Sequence, residues 1–156
     1  MPTTSIRVEA AERLIDLLNL DPDNAGVTIR YGTPNPDVGD PAIFVQCSGE
    51  DGQTVAHMRA GRKHRDDLWD LQVWVTMHVA PDDEHGLDAA RRVQAAWATV
   101  ENIIADNPTL SIDGSGLSGL LWASQNGRSD GPRVAETETG YVAWWEGLIS
   151  CRARLT

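Results

Sequence analysis

The sequence is poor in the residues that mark disulfide-stabilised and nucleic-acid-binding proteins. Its two cysteines, Cys47 and Cys151, each lie in a predicted strand among apolar neighbours, so we expect buried free thiols in a cytosolic redox setting. It has 13 Lys or Arg residues against 23 Asp or Glu, a formal net charge of −10. Because avid binding of nucleic acid needs clustered cationic side chains that replace counterions, this charge balance argues against it.

Long apolar runs are also absent. No window approaches about 18 uninterrupted apolar residues, and Met1 to Ile6 lacks the apolar region of a signal peptide. We therefore expect a soluble protein without a membrane span or a cleaved export signal. The chain has 156 residues, enough to bury roughly 68–70% of the unfolded surface in one core, so a single domain over residues 1–156 is predicted.

The residues that could carry chemistry do not form a known catalytic pattern. The histidines at 57, 64, 78 and 85 match no zinc-binding spacing, and the glycine-rich GSGLSG segment lacks the GK[ST] ending of a phosphate loop. We interpret Asp66-Asp67 and the acidic run at 82–84 as solvated loop residues rather than as a paired acid and base. The sequence therefore predicts no enzyme, no metal site and no cofactor.

A period of two from Asp67 to Val79 is the strongest structural signal. The odd positions after Asp67 are all apolar, whereas the even positions are mixed, which predicts a strand that buries one face. About a dozen residues span about 40 Å, well beyond the usual strand length. We expect this strand to run past the core of its own domain.

Helical periodicity predicts two helices, from about Ser5 to Leu18 and from near Gly86 to Ala105. The apolar stripe of the second helix is predicted at residues 87, 90, 93, 96, 97, 100, 103 and 104. Further strands are predicted at residues 27–31, 42–48, 117–125 and 141–155, with a short hairpin arm at 53–59. Gly147, on the core face of the last strand, suggests a bulge or a close packing contact.

Glycine, proline and polar residues predict loops at 32–41 and 126–140, the second of them mobile. The element order is α-β-β-β-α-β-β. This order predicts an α+β fold, with an antiparallel or mixed sheet of four to five strands and two helices packed on one face.

Tryptophan and one basic cluster are the residues that remain unexplained. Trp69 and Trp145 fall on predicted core faces, whereas Trp74 and Trp144 fall on the opposite faces of the two longest strands, near Leu68. This second face is either covered by the chain's own loops or forms an interface. The basic cluster is interpreted as a solvated turn between two strands, with a phosphate site as the alternative. It contains Arg59, Arg62, Lys63, His64 and Arg65.

Several segments together resemble the tail terminator proteins of long-tailed phages. The resemblance is to the actinobacterial-phage type, and more distantly to the terminator of phage lambda. It covers the chain from about Ser5 to Thr156 and rests on the pattern and order of segments. The segments are a helix beginning Val-Glu-Ala-Ala, VTIRYGTPNP, DDLWDLQVWVTMHV, ARRVQAAWATVENIIADNPTLS and SCRARLT. The most particular of them is a helix ending in AxNPTL before a strand.

The resemblance implies a non-enzymatic structural protein of the virion tail that assembles in the host cytoplasm. Such proteins form a hexameric ring on the finished end of the tail tube, stop tube polymerisation and present a surface for head joining. The implied partners are other copies of the chain, the tail tube protein and the head-tail connector protein, while DNA passes through the lumen without specific binding. No membrane partner is implied.

On this basis we expect a subunit or tube interface that contains Trp74, Trp144, Leu68, Arg59, Arg62, Lys63 and Arg65. Two alternatives stay open at this point. One is another head-tail connector or tail-completion ring protein. The other, from a different class, is a small ligand-binding domain or enzyme.

Overall fold

The structure is a computed structural model that describes residues 5–35, 41–48, 53–59, 62–79 and 86–155. Its elements, in chain order, are α1 (Arg7–Leu20), a short 3₁₀ helix (Pro22–Asn24), β1 (Thr28–Tyr31), β2 (Ala42–Cys47), β3 (Gln53–Arg59), β4 (Arg62–Val79), α2 (Leu87–Asp106), β5 (Leu120–Thr137) and β6 (Gly140–Leu155).

The strands form one mixed sheet. Its order is β1-β2-β4-β6-β5, and β3 pairs with β4 outside this path. β1 and β2 are parallel, and the other described pairs are antiparallel. The predicted α+β class is confirmed, but the sheet has six strands rather than four to five because the candidate arm is a full strand.

β2 and β3 pair with β4 one after the other along the same edge. Cys47 lies opposite Leu71, and Gln53 lies opposite Leu68. Together, β2 and β3 therefore form one side of a long hairpin, interrupted between them, and β4 forms the other side. The prediction of a basic turn is wrong, because β4 begins at Arg62 and runs for 18 residues. Its first residues do not alternate between apolar and polar, so the sequence pattern missed them. The residues between β3 and β4, and residues 36–40, 49–52 and 80–85, lie outside the part of the chain that the structure describes.

Both helices pack on one face of the sheet, and the core lies between these two layers. The odd positions of β4 from Trp69 to Val75 are buried, which confirms the period-two prediction. Helix α1 contributes Leu14 and Leu18 to the same cluster, and β6 contributes Ile149 and other residues. Fully burying one such leucine or isoleucine stabilises the fold by about 1.5–3 kcal/mol. Because most of the described buried apolar side chains belong to this cluster, it contributes most of the apolar stabilisation.

Helix α2 begins directly after Gly86, as predicted, but its buried stripe is rotated at the first turn. Ala89 is buried, whereas Leu87 is 50% exposed. Val93 and Trp97 determine which face of the helix is buried. They lie four and eight residues after Ala89 and therefore on the same helical face. Leu87 therefore lies away from the sheet.

Gly147 makes a close packing contact. A Cβ at this position would lie 2.4 Å from Cη2 of Trp97. Pairing with β4 continues through Gly147 and Val73 without a shift, so no bulge is needed on that side. Trp97 in turn stacks on Trp145, with ring centroids 6.0 Å apart and an interplanar angle of 9°. Glycine at 147 thus leaves room for this aromatic pair.

The segment that connects α2 to β5 explains the NPTL motif in structural terms. Nδ2 of Asn107 donates a hydrogen bond to the carbonyl oxygen of Ile103 at 2.9 Å and caps the end of α2. Leu110 is fully buried and has a left-handed backbone, with φ of 50°. The motif therefore ends the helix and anchors the connection in the core.

The prediction of a mobile loop at 126–140 is wrong. β5 continues to Thr137 and pairs with β6, and Glu138 and Thr139 form the turn. Three register irregularities, next to Leu120, between Gln125 and Ser129, and between Asp130 and Arg133, interrupt the ladder. An edge strand tolerates glycine, proline and such bulges, because one side of its backbone needs no partner in the sheet.

Candidate interaction surfaces

The first candidate surface is the basic arm, which we define as residues 53–59 of β3 and 62–65 of β4. Leu155 pairs with Arg65 at the end of β6, so residues 62–64 extend past β6 and pair with β3 alone. Three strand residues span about 10 Å. In this register Arg59 lies opposite Arg62, and Arg65 is exposed. The structure therefore places the four predicted cationic residues at positions of two paired strands.

Two consecutive aspartates lie at the base of the basic arm and point to opposite faces of the sheet. Asp66 and Asp67 are 0% and 2% exposed. On the helix side, Nη2 and Nε of Arg7 donate to Asp67 at 2.7 and 3.1 Å, and the Ser5 hydroxyl donates at 2.8 Å. The interpretation of this pair as solvated loop residues is wrong. A continuous strand buries both side chains, and arginines offset the desolvation.

Arginine side chains also bind Asp66, on the face of the sheet opposite the helices. Nε and Nη2 of Arg152 both donate to its Oδ2, the first at 2.8 Å, and Nε of Arg154 donates to Oδ1 at 3.3 Å. The two arginines come from alternate positions of β6, opposite Leu68 and Asp66. The base of the arm is therefore connected to the last strand by charge-assisted hydrogen bonds as well as by backbone pairing.

These contacts also set the ionisation of the two carboxyl groups. Burial raises the pKa of Asp67, but hydrogen bonds from Arg7 and Ser5 lower it by more, so the pKa lies below its ordinary value. Burial likewise raises the pKa of Asp66, and hydrogen bonds from Arg152 and Arg154 again produce a net lowering. Both groups are therefore anionic near neutral pH and act as structural anchors.

The second candidate surface is the sheet face opposite the helices. Trp74 is only 9% exposed there, clusters with Ala42 and Phe44, and donates from Nε1 to Oε2 of Glu146 at 2.9 Å. Trp144 is half-buried and pairs with Thr76 on β4, diagonal to Trp74. Trp144 is therefore the more accessible of the two predicted tryptophans.

Leu68 lies on the same face but far from the two tryptophans. It pairs with Arg152 at the base of the basic arm and is half-buried. Between these positions, Asp70 accepts hydrogen bonds from Arg128 at 2.6 Å and from Ser150 at 2.8 Å. The structure thus divides the predicted face into an aromatic end and a charged end. Sequence reasoning missed this charged network, which joins three strands. Its local signal was a pair of arginines, Arg152 and Arg154, at alternate positions of the last strand.

A third surface, also missed from the sequence, lies on helix α1. Glu9, Glu12 and Asp16 are exposed at spacings of three and four, which puts them on one helical face. We call these three residues the acidic stripe. None of them forms an ion pair with a described residue. Val8 and Leu20, on the same helix, are 61% and 66% exposed.

A groove of about 540 Å³ lies between the 3₁₀ helix, the end of β4 and α2. Asp23, His78 and Arg92 line it together with mainly small and apolar side chains. His78 lies with Nε2 3.1 Å from the hydroxyl of Thr139. Among the described residues, His78 is hydrogen-bonded to Thr139 and not to the carboxylate of Asp23, so the groove shows no hydrogen-bonded acid and base.

Three further properties of the described part of the chain concern its potential metal ligands, the length of its helices and its thiols. Within residues 5–35, 41–48, 53–59, 62–79 and 86–155 no group of three or more potential ligands could hold a metal ion. None of the described helices is long and apolar enough to cross a membrane. Cys151 is a buried free thiol, as predicted, and burial raises its pKa; Cys47 is also free but only half-buried.

Comparison with known proteins identifies a solved structure with a similar fold. No family model matches the chain, and no curated protein matches it either. Its structure is similar to that of a chain in a solved structure described as the virion of a native gene transfer agent particle, with a TM-score of 0.55. The similarity covers 96% of this chain and 99% of that chain, at 13% sequence identity. At this identity the likeness establishes the fold.

Proposed function

We propose that this protein is a structural protein of a phage tail that caps the completed tail tube as a hexameric ring. In this role it stops tube polymerisation and provides the surface for head joining. The observation that carries the proposal is the end-to-end similarity of its fold to a chain from a virion particle. The pattern and order of the sequence segments, which resemble tail terminator proteins, support the same role.

The surfaces of the molecule are compatible with a ring subunit. A ring is built from heterologous contacts, in which two different surfaces of each subunit meet. The basic arm extends beyond the end of β6, and Trp144 and Leu68 are half-buried on a sheet face that neither helix covers. We propose that these regions contact neighbouring copies, the tail tube protein or the head-tail connector protein. DNA would pass through the lumen without specific contacts.

The alternative is that the protein is another kind of ring protein, either a head-tail connector or a tail-completion protein. The fold similarity to a virion chain supports it equally, because the description of that particle does not name the position of the chain. A catalytic or ligand-binding role has less support, since no curated protein of that kind matches the chain and no hydrogen bond between described residues joins Asp23 to His78 in the groove.

Electron microscopy of particles made with and without this gene tests the proposal. Tube length reports termination directly, so we expect overlong tails after deletion and normal length after complementation with the wild-type gene. Complementation with Glu136→Gln, an exposed position on β5, is the matched control and should also restore normal length. Tails of normal length that lack heads would establish the connector role instead, and normal complete particles would exclude both.

A further inference from the structure

We propose that two copies of this chain pair in solution through the sheet face opposite the helices, related by a two-fold axis at Leu148. We call this face the open face. It consists of the even positions of β4 from Asp66 to His78 and of β6 from Val142 to Arg154, with the positions in register on the neighbouring strands. Such a contact is isologous, because both copies use the same surface. It is therefore distinct from the heterologous contacts of the proposed ring and does not depend on them.

The open face exposes apolar side chains that neither helix covers. Helix α1 packs against β1 and β2, and α2 packs against β4, β5 and β6, both on the other side of the sheet. Trp74 is mostly buried within the open face, but five further apolar side chains on it are only half-buried. They are Leu68, Trp122, Val142, Trp144 and Leu148. Tryptophan is enriched among the residues that contribute most to binding at protein interfaces, so two accessible tryptophans indicate a docking surface.

The open face also has nearly the size of a protein–protein interface. Between Leu68 and His78 the strand β4 rises by about 33 Å, and the neighbouring strands β2, β4, β6 and β5 are together about 19 Å wide. A rectangle of these dimensions measures about 600 Å² before the relief of the side chains is added, and each partner of a standard interface buries about 800 Å². A second copy that covers this face therefore buries an area close to that of a specific contact.

The charge of the open face permits contact with a second copy, although the chain as a whole is acidic. Five arginines and four carboxylates occupy its described positions, a formal charge of +1 that leaves −11 on the rest of a chain of net charge −10. Each of these carboxylates accepts a hydrogen bond from another side chain of the same face. Because the carboxylates are compensated within each copy, docking two such faces leaves none of them unpaired. The acidic remainder of the chain repels a second copy on average.

Side chains along β6 are arranged symmetrically about Leu148. Trp144 lies four residues before Leu148 and Arg152 lies four residues after it, all three on the open face. A two-fold axis through Leu148 reverses the direction of β6, so Leu148 meets its own copy and Trp144 of each chain meets Arg152 of the other. The side chain of Arg152 is 33% exposed beside its ion pair with Asp66, and a guanidinium is attracted to the face of a tryptophan ring. This pairing thus gives the accessible tryptophan a specific partner.

A depression of about 290 Å³ beside Leu148 contributes polar groups near the axis. Gln72, the partner of Leu148 on β4, lines it together with Arg128 and Glu146. Within the described part of the chain, the Gln72 amide forms no hydrogen bond. Because β4 and β5 lie on either side of β6, the two-fold axis places Gln72 of one copy opposite Arg128 of the other. A guanidinium has five donors, so Arg128 can donate to the Gln72 amide oxygen and keep its bond to Asp70.

The tail tube protein is the competing occupant of the open face. Its surface has no reason to be self-complementary with this face, so the match of Trp144 with Arg152 about Leu148 favours a second copy. Two copies paired in this way cover Trp144 and Leu68. The pairing therefore belongs to the free protein, and it must open before these residues contact a tail.

Opposite charges at position 148 test the pairing in the purified full-length protein. We expect sedimentation velocity to show a dimer of the wild type that dissociates on dilution. Leu148→Asp and Leu148→Lys each place two like charges at the axis, so each variant alone should associate at least about tenfold more weakly, as expected at the centre of an interface. Leu87→Asp and Leu87→Lys, at an exposed position of α2, are the matched controls and should dimerise like the wild type.

Mixing the two Leu148 variants is the decisive measurement. Position 148 meets itself only across a two-fold axis, so the mixture should form a heterodimer in which aspartate faces lysine, and association should recover. The mixed Leu87 variants should behave like either variant alone. Circular dichroism of each variant reports whether the fold is retained, and the recovered association confirms it independently.

Several results would overturn the inference. A wild type that stays monomeric at every concentration, or a mixture that does not recover association, excludes the pairing. Rings that persist in both Leu148 variants would place the contact between copies on other surfaces. Binding of purified tail tube protein to a monomeric chain, lost in both Leu148 variants, would identify that protein as the occupant instead. Tail length after gene deletion is measured separately, so failure of the pairing and failure of the proposed function are distinguishable.

Discussion

At the scale of single residues, Asp66 and Asp67 connect the basic arm to the rest of the molecule. Consecutive strand residues point to opposite faces, so one carboxylate meets Arg7 on the helix side and the other meets Arg152 and Arg154 on the open side. Removing one partner of such a pair leaves a charge without compensation, and this is the costly event. The pairs therefore hold the arm at a defined position relative to α1 and β6.

Replacing Asp67 with Asn tests this role. We expect the free energy of unfolding near pH 7 to fall by about 2 kcal/mol, because Arg7 loses two charge-assisted hydrogen bonds to Asp67 and is itself partly exposed. The pKa of Asp67 is lower in the folded than in the unfolded protein, so its stabilisation is present above about pH 4 and is lost as pH falls through the folded pKa. Urea unfolding at neutral and at acid pH measures both effects.

In the Asp67→Asn variant, stability should consequently fall less between neutral and acid pH than in the wild type. Glu136→Gln, an exposed carboxylate on β5, is the control and should change neither the stability nor its pH dependence. An Asp67→Asn variant with the acid sensitivity of the wild type would contradict the assignment of this ion pair.

The alternation of β4 allowed its core residues to be predicted, but not the partners of its aspartates. Arg7 is 60 residues from Asp67, and Arg152 is 86 residues from Asp66. Local composition gives no sign of such distant pairing, and adjacent charges ordinarily indicate a solvated turn. The sequence therefore predicted the strand and its buried face, while the burial of two charges depended on the tertiary structure.

At the scale of elements, the β5–β6 hairpin shows where composition misleads. The glycines, proline and polar residues of 126–140 predict a loop, yet the chain as far as Thr137 belongs to a strand that pairs with β6. An edge strand needs few apolar residues, and bulges and proline there also protect the free edge against unwanted pairing. Whether such a segment is a strand depends on its partner, and a single-segment pattern does not contain that information.

Hydrogen exchange tests the element directly. Residues 133–137 pair with β6 from Trp144 to Gly140, and in an antiparallel pair alternate amides of each strand face the neighbour. We therefore expect slow exchange at alternate amides of this segment and fast exchange at Glu138 and Thr139 in the turn. The exposed turn at Asp113 and Gly114 provides a fast-exchanging reference. Uniformly fast exchange over 133–137 would show that the segment is a loop.

At the scale of the whole molecule, the candidate surfaces were predicted unequally well. The basic cluster was visible because it interrupts an acidic sequence, and the structure places it on an arm. The acidic stripe was not predicted from the sequence, because carboxylates are common on the solvent-exposed face of a helix. Trp74 was expected either at an interface or under the chain's own loops, and it is 9% exposed beside Ala42 and Phe44.

One hydrophobic cluster joins both helices to the central strands, and this arrangement has a thermodynamic consequence. Trp97 of α2, Trp69 of β4 and Leu14 of α1 belong to the same cluster. Elements that share one core lose their packing together, so the chain should unfold in urea as a single cooperative unit. We expect the tryptophan fluorescence and far-ultraviolet circular dichroism transitions to coincide, with equal midpoints and slopes. Loss of helical signal at lower urea than the fluorescence change would instead show that the helices and the sheet unfold separately, and residues 1–156 would not then behave as one domain.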